Sequence, residues 1–204
     1  MRKIAVITVL VFILLFALHS AHAYVYYVEA ESFDSDSAPI VGDATWTMGE
    51  DASASNGQFM GYSGPHSGAT TGLLYTLPDI NDNPDQCKIW LRTLAPNNWT
   101  DSCFAYVSTD GGGTWGPQQT LAVAFADDPD WAWADFVPDT PFAAGTGNVL
   151  KLSERENFNL DLICIRNDDL GASMDDYAIW AETLATVKPV HKAATTWGKI
   201  RSAY

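Results

Sequence analysis

The stretch Asn148-Val-Leu-Lys-Leu-Ser-Glu-Arg-Glu-Asn-Phe-Asn-Leu-Asp-Leu-Ile-Cys-Ile-Arg-Asn-Asp168 decides how the chain is read. It is two apolar segments, Leu150 to Ser153 and Leu160 to Ile165, joined by a short polar turn, the pattern of a hairpin between buried strands. One residue breaks it. Asp161 stands between Leu160 and Leu162, and a carboxylate inside such a run is costly unless it is hydrogen-bonded, paired with a cation or bound to a metal. Its partner must come from elsewhere in the sequence.

The same grammar recurs along the chain. Tyr24-Val-Tyr-Tyr-Val-Glu-Ala-Glu31 is aromatic and β-branched, and Thr45 to Met48, Gln58 to Tyr62, Thr70 to Leu77, Cys87 to Leu94, Ser102 to Ser108, Leu121 to Phe125 and Trp131 to Phe136 follow it. Met174 to Thr183, with Tyr177, Ile179 and Trp180, reads as one more strand. No long 3.6-residue periodicity is visible. Roughly ten short strands with regular turn signals predict an all-β protein, a β-sandwich of the jelly-roll type.

The ends differ from this body. Arg2-Lys3, an apolar run from Ile4 to Leu18 and Ala21-His22-Ala23 have the form of a secretory signal peptide over 1–23, so the protein is expected to be secreted, extracellular or cell-surface. The alternative, an uncleaved anchor, meets a run shorter than the ~20 residues that span a bilayer. The sandwich domain is expected over 24–185 and a basic tail over 186–204. The leader holds two of the 11 basic residues and none of the 25 acidic ones, leaving nine against 25, a net of −16. Four of those nine, Lys188, Lys192, Lys199 and Arg201, lie in the tail. A body this acidic excludes nucleic acid and anionic membranes as natural partners and suits calcium, neutral sugars or a cationic partner. The tail ending, Thr195-Thr-Trp-Gly-Lys-Ile-Arg201, resembles short endings of exported bacterial proteins, which implies surface-attachment machinery as a partner. Cys87, Cys103 and Cys164 permit one disulfide and a spare thiol, or three buried thiols.

Ser108-Thr-Asp-Gly-Gly-Gly-Thr-Trp115 resembles the Asp-box of sialidase-type propellers. It occurs once, and a propeller needs several blades. It is read as a hairpin turn built on Asp110 and its glycines, with no sialidase activity. Asp79, Asp82 and Asp85 lie in a turn without the spacing of a calcium loop and are read as solvated.

Four pieces in order carry a wider resemblance: Val28-Glu-Ala-Glu31; Ala54-Ser-Asn-Gly-Gln-Phe-Met60; Ile89-Trp-Leu-Arg-Thr-Leu-Ala-Pro96 with Asp101 to Val107; and Trp131-Ala-Trp133 with Gly147 to Glu156 and Asn159-Leu-Asp-Leu-Ile163. Over Val28 to Asp168 the chain resembles the calcium-containing jelly-roll carbohydrate-binding modules, families 6 and 35 and their galactose-binding-like relatives. The resemblance implies a structural Ca²⁺ held by Glu29, Glu31 and Asp161 with carbonyls of the loop Ser53 to Gly57. It also implies a sugar site in which Asn159 hydrogen-bonds the ligand between aromatic platforms, Trp131 and Tyr62, with Trp99 in reserve and Trp133 in the core. Sugars present flat C–H faces and hydroxyls, which is why aromatic rings and amide side chains suit them. The function expected is non-catalytic binding of a poly- or oligosaccharide. The alternative is a structural or adhesive surface protein with the fold and no sugar site. No nucleophile elbow or triad order points to an enzyme.

Overall fold

The computed structural model of the chain describes residues 23–34, 45–63, 72–95, 102–123, 130–153 and 155–186. The expected leader before Ala23, the tail after 186 and Trp99 lie outside these residues.

Ten strands are described: β1 (Val25–Glu29), β2 (Thr45–Glu50), β3 (Gln58–Ser63), β4 (Gly72–Thr76), β5 (Lys88–Leu94), β6 (Ser102–Ser108), β7 (Gln119–Ala122), β8 (Ala132–Phe136), β9 (Val149–Ser153) and β10 (Phe158–Arg166). They form two antiparallel sheets, the β-sandwich expected from the strand series. One runs β2-β3-β10-β5-β8 with β1 also on β10, and the other runs β4-β9-β6-β7. The opening stretch is β9 and β10, and its two halves lie in different sheets. It is thus a corner of the sandwich and not a hairpin.

β10 is central. Its first residues, Phe158 to Leu160, pair with Tyr62 to Met60 of β3, and Leu162 to Arg166 pair with Glu29 to Val25 of β1. On its other edge it pairs with β5 throughout, with a register shift between Leu160 and Leu162. That shift is a β-bulge, one extra residue on β10, and the extra residue is Asp161. The core registers it. Phe158 and Leu160 enter the core, and so do Ile163 and Ile165, which changes the alternation by one residue at the bulge. Without the bulge, either the first pair or the second would face outward.

Leu73, Leu150 and Leu152 from the second sheet close the core against these residues. Side chains also pack against one another on the outer face of the first sheet. Tyr27 of β1, which shows no exposed surface, meets Trp133 of β8 edge-on at 6.3 Å. Trp133 faces Arg92 in register and lies on that outer face, half-buried, so the expectation that it belongs to the core is corrected.

The segment Met174–Thr186 is an α-helix, α1, where the sequence reading expected a strand. Ser173 Oγ accepts the Asp176 N–H at 3.1 Å, capping its start. Asp175 and Asp176 in the first turn favour the positive end of the helix dipole. Ala178, Ala181, Glu182 and Leu184 are strong helix formers, whereas Tyr177, Ile179 and Trp180 are residue types common in strands. The sandwich and this helix are separate compact units, divided after Ala172. Among the described residues no helix is long and apolar enough to cross a membrane.

The turn after β6 is built as its sequence requires. Asp110 accepts from Ser108 Oγ at 2.7 Å, Thr114 N–H at 2.8 Å and Thr114 Oγ1 at 2.6 Å. Gly111 and Gly112 take φ of 75° and 90°, the region where a side chain is strained. The Thr114 bonds, joined by Ser108, hold the Asp110 carboxyl down at about 2. Cys87, Cys103 and Cys164 are all buried free thiols. Burial pushes Cys103 up to about 12, an inert structural thiol.

Candidate functional site

Asp161 has no exposed surface. The bulge aims its carboxylate at the loop 51–57, which closes over the sheet. Oδ1 accepts the Ser55 N–H at 2.8 Å and the Ser55 hydroxyl at 2.7 Å. Oδ2 faces Nη1 of Arg92 in a buried salt bridge. Nη2 of the same guanidinium donates to the Ser53 carbonyl at 3.1 Å. The partners of Asp161 are therefore Arg92 and Ser55.

Glu29 and Glu31 arrive at the same loop, though not as an i, i+2 pair of one strand. β1 ends at Glu29, and Ala30–Ser32 is a 3-10 turn. Glu29 Oε2 accepts from Ser55 Oγ at 2.5 Å, and Glu31 Oε1 accepts from Asn56 Nδ2 at 3.4 Å. A hydroxyl carries one proton. Ser55 thus lies between two carboxylates and can satisfy only one at a time. Glu31 Oε2 is buried without a hydrogen-bond partner. Burial raises the Glu31 pKa, and the neighbouring charges of Glu29 and Asp161 add to that rise. Three carboxylates and one guanidinium leave two negative charges in excess. Among the described residues, no three carboxylate, imidazole or thiolate groups converge on one point as a ready-made metal cage.

Beside this knot lies an aromatic strip. Trp131, half-buried at the entrance to β8, has Arg92 Cζ 5.6 Å from its ring centroid and donates Nε1–H to Asp51 Oδ2 at 3.2 Å. Asp51 also accepts the Ser53 N–H and hydroxyl at 2.8 and 2.7 Å, and these bonds lower its pKa. Phe59 packs on Trp131 at 5.6 Å. A methyl group at Gly49 would stand 2.2 Å from the Phe59 ring, so this ring lies flat across bare backbone. Asn159 is next along the strip: a methyl at Gly61 would meet its Oδ1 at 2.9 Å. Asn159 alternates with Phe158 and Leu160 and faces away from the core.

The structure thus brings Glu29, Glu31 and Asp161 to one loop and Asn159 and Trp131 to one strip. It does not bring Tyr62 there. Tyr62 is 2% exposed, with its ring 5.5 Å from Trp46, and it presents no free face for stacking. Its strand neighbours Phe59 and Gly61 point outward, and the period of two sends Tyr62 into the core with Met60.

No family model matches the chain, and no curated protein matches it. Solved structures do. The C-terminal CBM6 of LamC, a marine laminarinase from Zobellia galactanivorans, is 19% identical over 70% of this chain and 98% of its own, with a TM-score of 0.42. A family 35 carbohydrate-binding module from Clostridium thermocellum is 18% identical over 69% of this chain and 97% of its own, at 0.44. The catalytic unit of a GH87 alpha-1,3-glucanase from Streptomyces thermodiastaticus is 15% identical at 0.49; the match covers 75% of this chain and only 28% of that unit. These neighbours include the module families that the sequence resembles. At such scores their ligands are no guide to this chain, and its chemistry has to come from its own side chains.

Sequence reading missed several side chains of the site, among them Arg92, Ser55, Asp51 and Phe59. Arg92 carried a usable signal. It interrupts Ile89-Trp-Leu-Arg-Thr-Leu94 as Asp161 interrupts its own strand, and two opposite charges in two apolar runs are candidates for each other.

Proposed function

We propose that the protein is an exported, non-catalytic carbohydrate-binding module whose loop 51–57 is stabilised by calcium. The observation that carries the sugar reading is the strip Asn159–Phe59–Trp131, an amide side chain beside two half-buried rings on the outer face of a sheet. Rings offer the apolar face a pyranose stacks on, and the amide both donates and accepts toward hydroxyls. Native affinity electrophoresis in laminarin, xylan and soluble cellulose derivatives tests it. Retention in at least one gel is expected, and Trp131→Ala should weaken it about tenfold, the equivalent of ~1.4 kcal/mol of stacking. No retention in any gel with calcium present sinks the sugar reading.

The acidic knot fits a hard divalent cation in charge and donor type. Two negative charges are in excess, and the Glu31 Oε2 atom is buried without a partner. Glu29, Glu31 and Asp161, with carbonyls from 53–57, would hold it. Bound Ca²⁺ would neutralise the excess charge and need only irregular oxygen donors. At about 100 times its Kd, calcium should stabilise the fold by ~2.7 kcal/mol, a rise in Tm of roughly 5–10 °C for a domain of this size. A melting curve unmoved by millimolar calcium or by chelator sinks the calcium reading.

Binding is favoured over catalysis because Glu29 and Asp161 share a single hydroxyl, an arrangement that holds a loop. Glycoside hydrolysis needs two carboxyls separated across a sugar ring by about 5–9.5 Å. The structural or adhesive reading keeps one specific support. Trp131 is engaged by Arg92, Phe59 and Asp51, so its ring also has a packing role.

A further inference from the structure

We propose that Arg92 is a positioning residue that couples the closure of loop 51–57 to the placement of the Trp131 ring, so that sugar affinity depends on a latch that no sugar touches. One guanidinium does three things. Its Nη1 faces Asp161, its Nη2 holds the Ser53 carbonyl, and its plane lies near Trp131, Cζ to centroid 5.6 Å. It is 9% exposed, so these contacts are made away from bulk water.

The second attachment of the ring leads to the same loop. Trp131 Nε1 donates to Asp51 Oδ2, and Asp51 Oδ1 holds both the N–H and the hydroxyl of Ser53. Ser53 is therefore gripped from two sides, by Asp51 and by Arg92, and each of these also holds Trp131. The loop in turn is fastened two residues on, where Ser55 binds Asp161 and Glu29. Releasing Ser55 loosens the loop carrying Ser53 and Asp51, and the ring loses its two fixed neighbours together. Lysine cannot replace Arg92 here. An ammonium is a compact point charge without the planar fork that bonds two acceptors and stacks on a ring at once.

The inference rests on the reading of Trp131 as the sugar platform, and one readout is chosen to stand without it. The chain has eight tryptophans, so Trp131 emission is taken as the difference between the native protein and Trp131→Phe. Its quenching by acrylamide is measured without sugar in the native protein, Arg92→Lys and Ser55→Ala, with far-UV circular dichroism to check folding. Retention in laminarin and xylan gels is measured beside it. Arg92→Lys should at least double the quenching of Trp131 and weaken retention about tenfold, the size expected for losing an oriented ring contact. Ser55→Ala, which touches no aromatic ring in the strip and keeps its backbone N–H on Asp161, should move both readouts the same way by about two- to threefold. If Arg92→Lys fails to fold, Ser55→Ala decides. Folded variants with native quenching and native retention overturn the proposal. If the native chain is retained on no gel, the sugar reading falls, and the quenching series alone still decides whether Arg92 and the latch place the ring.

Discussion

Two aspartates of this molecule each accept several hydrogen bonds and do opposite kinds of work. Asp110 lies in an open turn, and its partners, Ser108 and Thr114, are two and four residues away. Asp161 is fully buried, and its partners, Arg92 and Ser55, are 69 and 106 residues away. The first organises a turn that the local sequence already dictates. The second ties β10, β5 and the loop 51–57 into one unit and can do so only once the sandwich has formed. An exposed carboxylate also keeps water as an alternative partner, whereas a buried one has only the groups the fold supplies.

Substitution should separate the two sharply. Asp161→Ala leaves Arg92 buried without its carboxylate, and breaking one side of a buried pair costs about 3–5 kcal/mol. Urea unfolding should show the midpoint falling with the slope preserved. A loss under about 1 kcal/mol would mean that Arg92 finds another partner or water, and the contrast with Asp110 would collapse. Asp110→Ala is expected to lower the midpoint much less, with the turn reshaped and the core intact by near-UV circular dichroism. If it matches Asp161→Ala, the turn is not the local device described above.

The smallest effect, and the finest test, is the pH dependence. The Asp110 pKa lies below that of an unfolded aspartate, so the unfolded state binds more protons. Its contribution is present above the ordinary carboxylate range near 3.8 and is lost as the pH falls toward about 2. Glu31 is shifted the other way, chiefly by burial. Its folded state binds the proton more readily, so protonating it adds stability as the pH falls through its raised pKa. Glu31→Gln should therefore flatten the stability profile just above pH 4.5, the ordinary value for this group, and leave the steep acid limb below pH 3.8 to Asp110 and its like. A Glu31→Gln profile superimposed on the native one in calcium-free buffer would show that its carboxylate is not crowded.

The same contrast explains what the sequence makes legible. The Asp-box turn is readable because its donors, glycines and carboxylate sit within eight residues. The strand series is readable because period-two alternation is local, and Asp161 is conspicuous because it is a charge inside a mostly apolar run. Its bulge is not readable. Phe158-Asn-Leu-Asp-Leu162 alternates without a break through Asp161, and Leu162 to Ile165 are all apolar, so nothing in them shows which residues turn to the core after the bulge. The faces of Tyr62 and Trp133 are hidden for a related reason: an aromatic residue suits core and surface alike, and only register against Phe158 and Arg92 decides. The helix at Met174–Thr186 is hard to read because one capping serine and two first-turn acids are a short signal beside three large side chains common in strands.

The central place of β10 bears on how the chain is made. Synthesis starts at the N-terminus, yet β1 finds its only described strand partner in β10, and Tyr24 N–H bonds the Asn167 side chain 143 residues further on. The first described strand to leave the ribosome waits for the last described one. Joining ends so far apart carries a large loop-closure cost that local contacts cannot offset in advance. The sheet bearing the knot and the aromatic strip therefore closes late, and until it does the strongly aromatic segment Tyr24 to Val28 is an open edge that other chains can pair with.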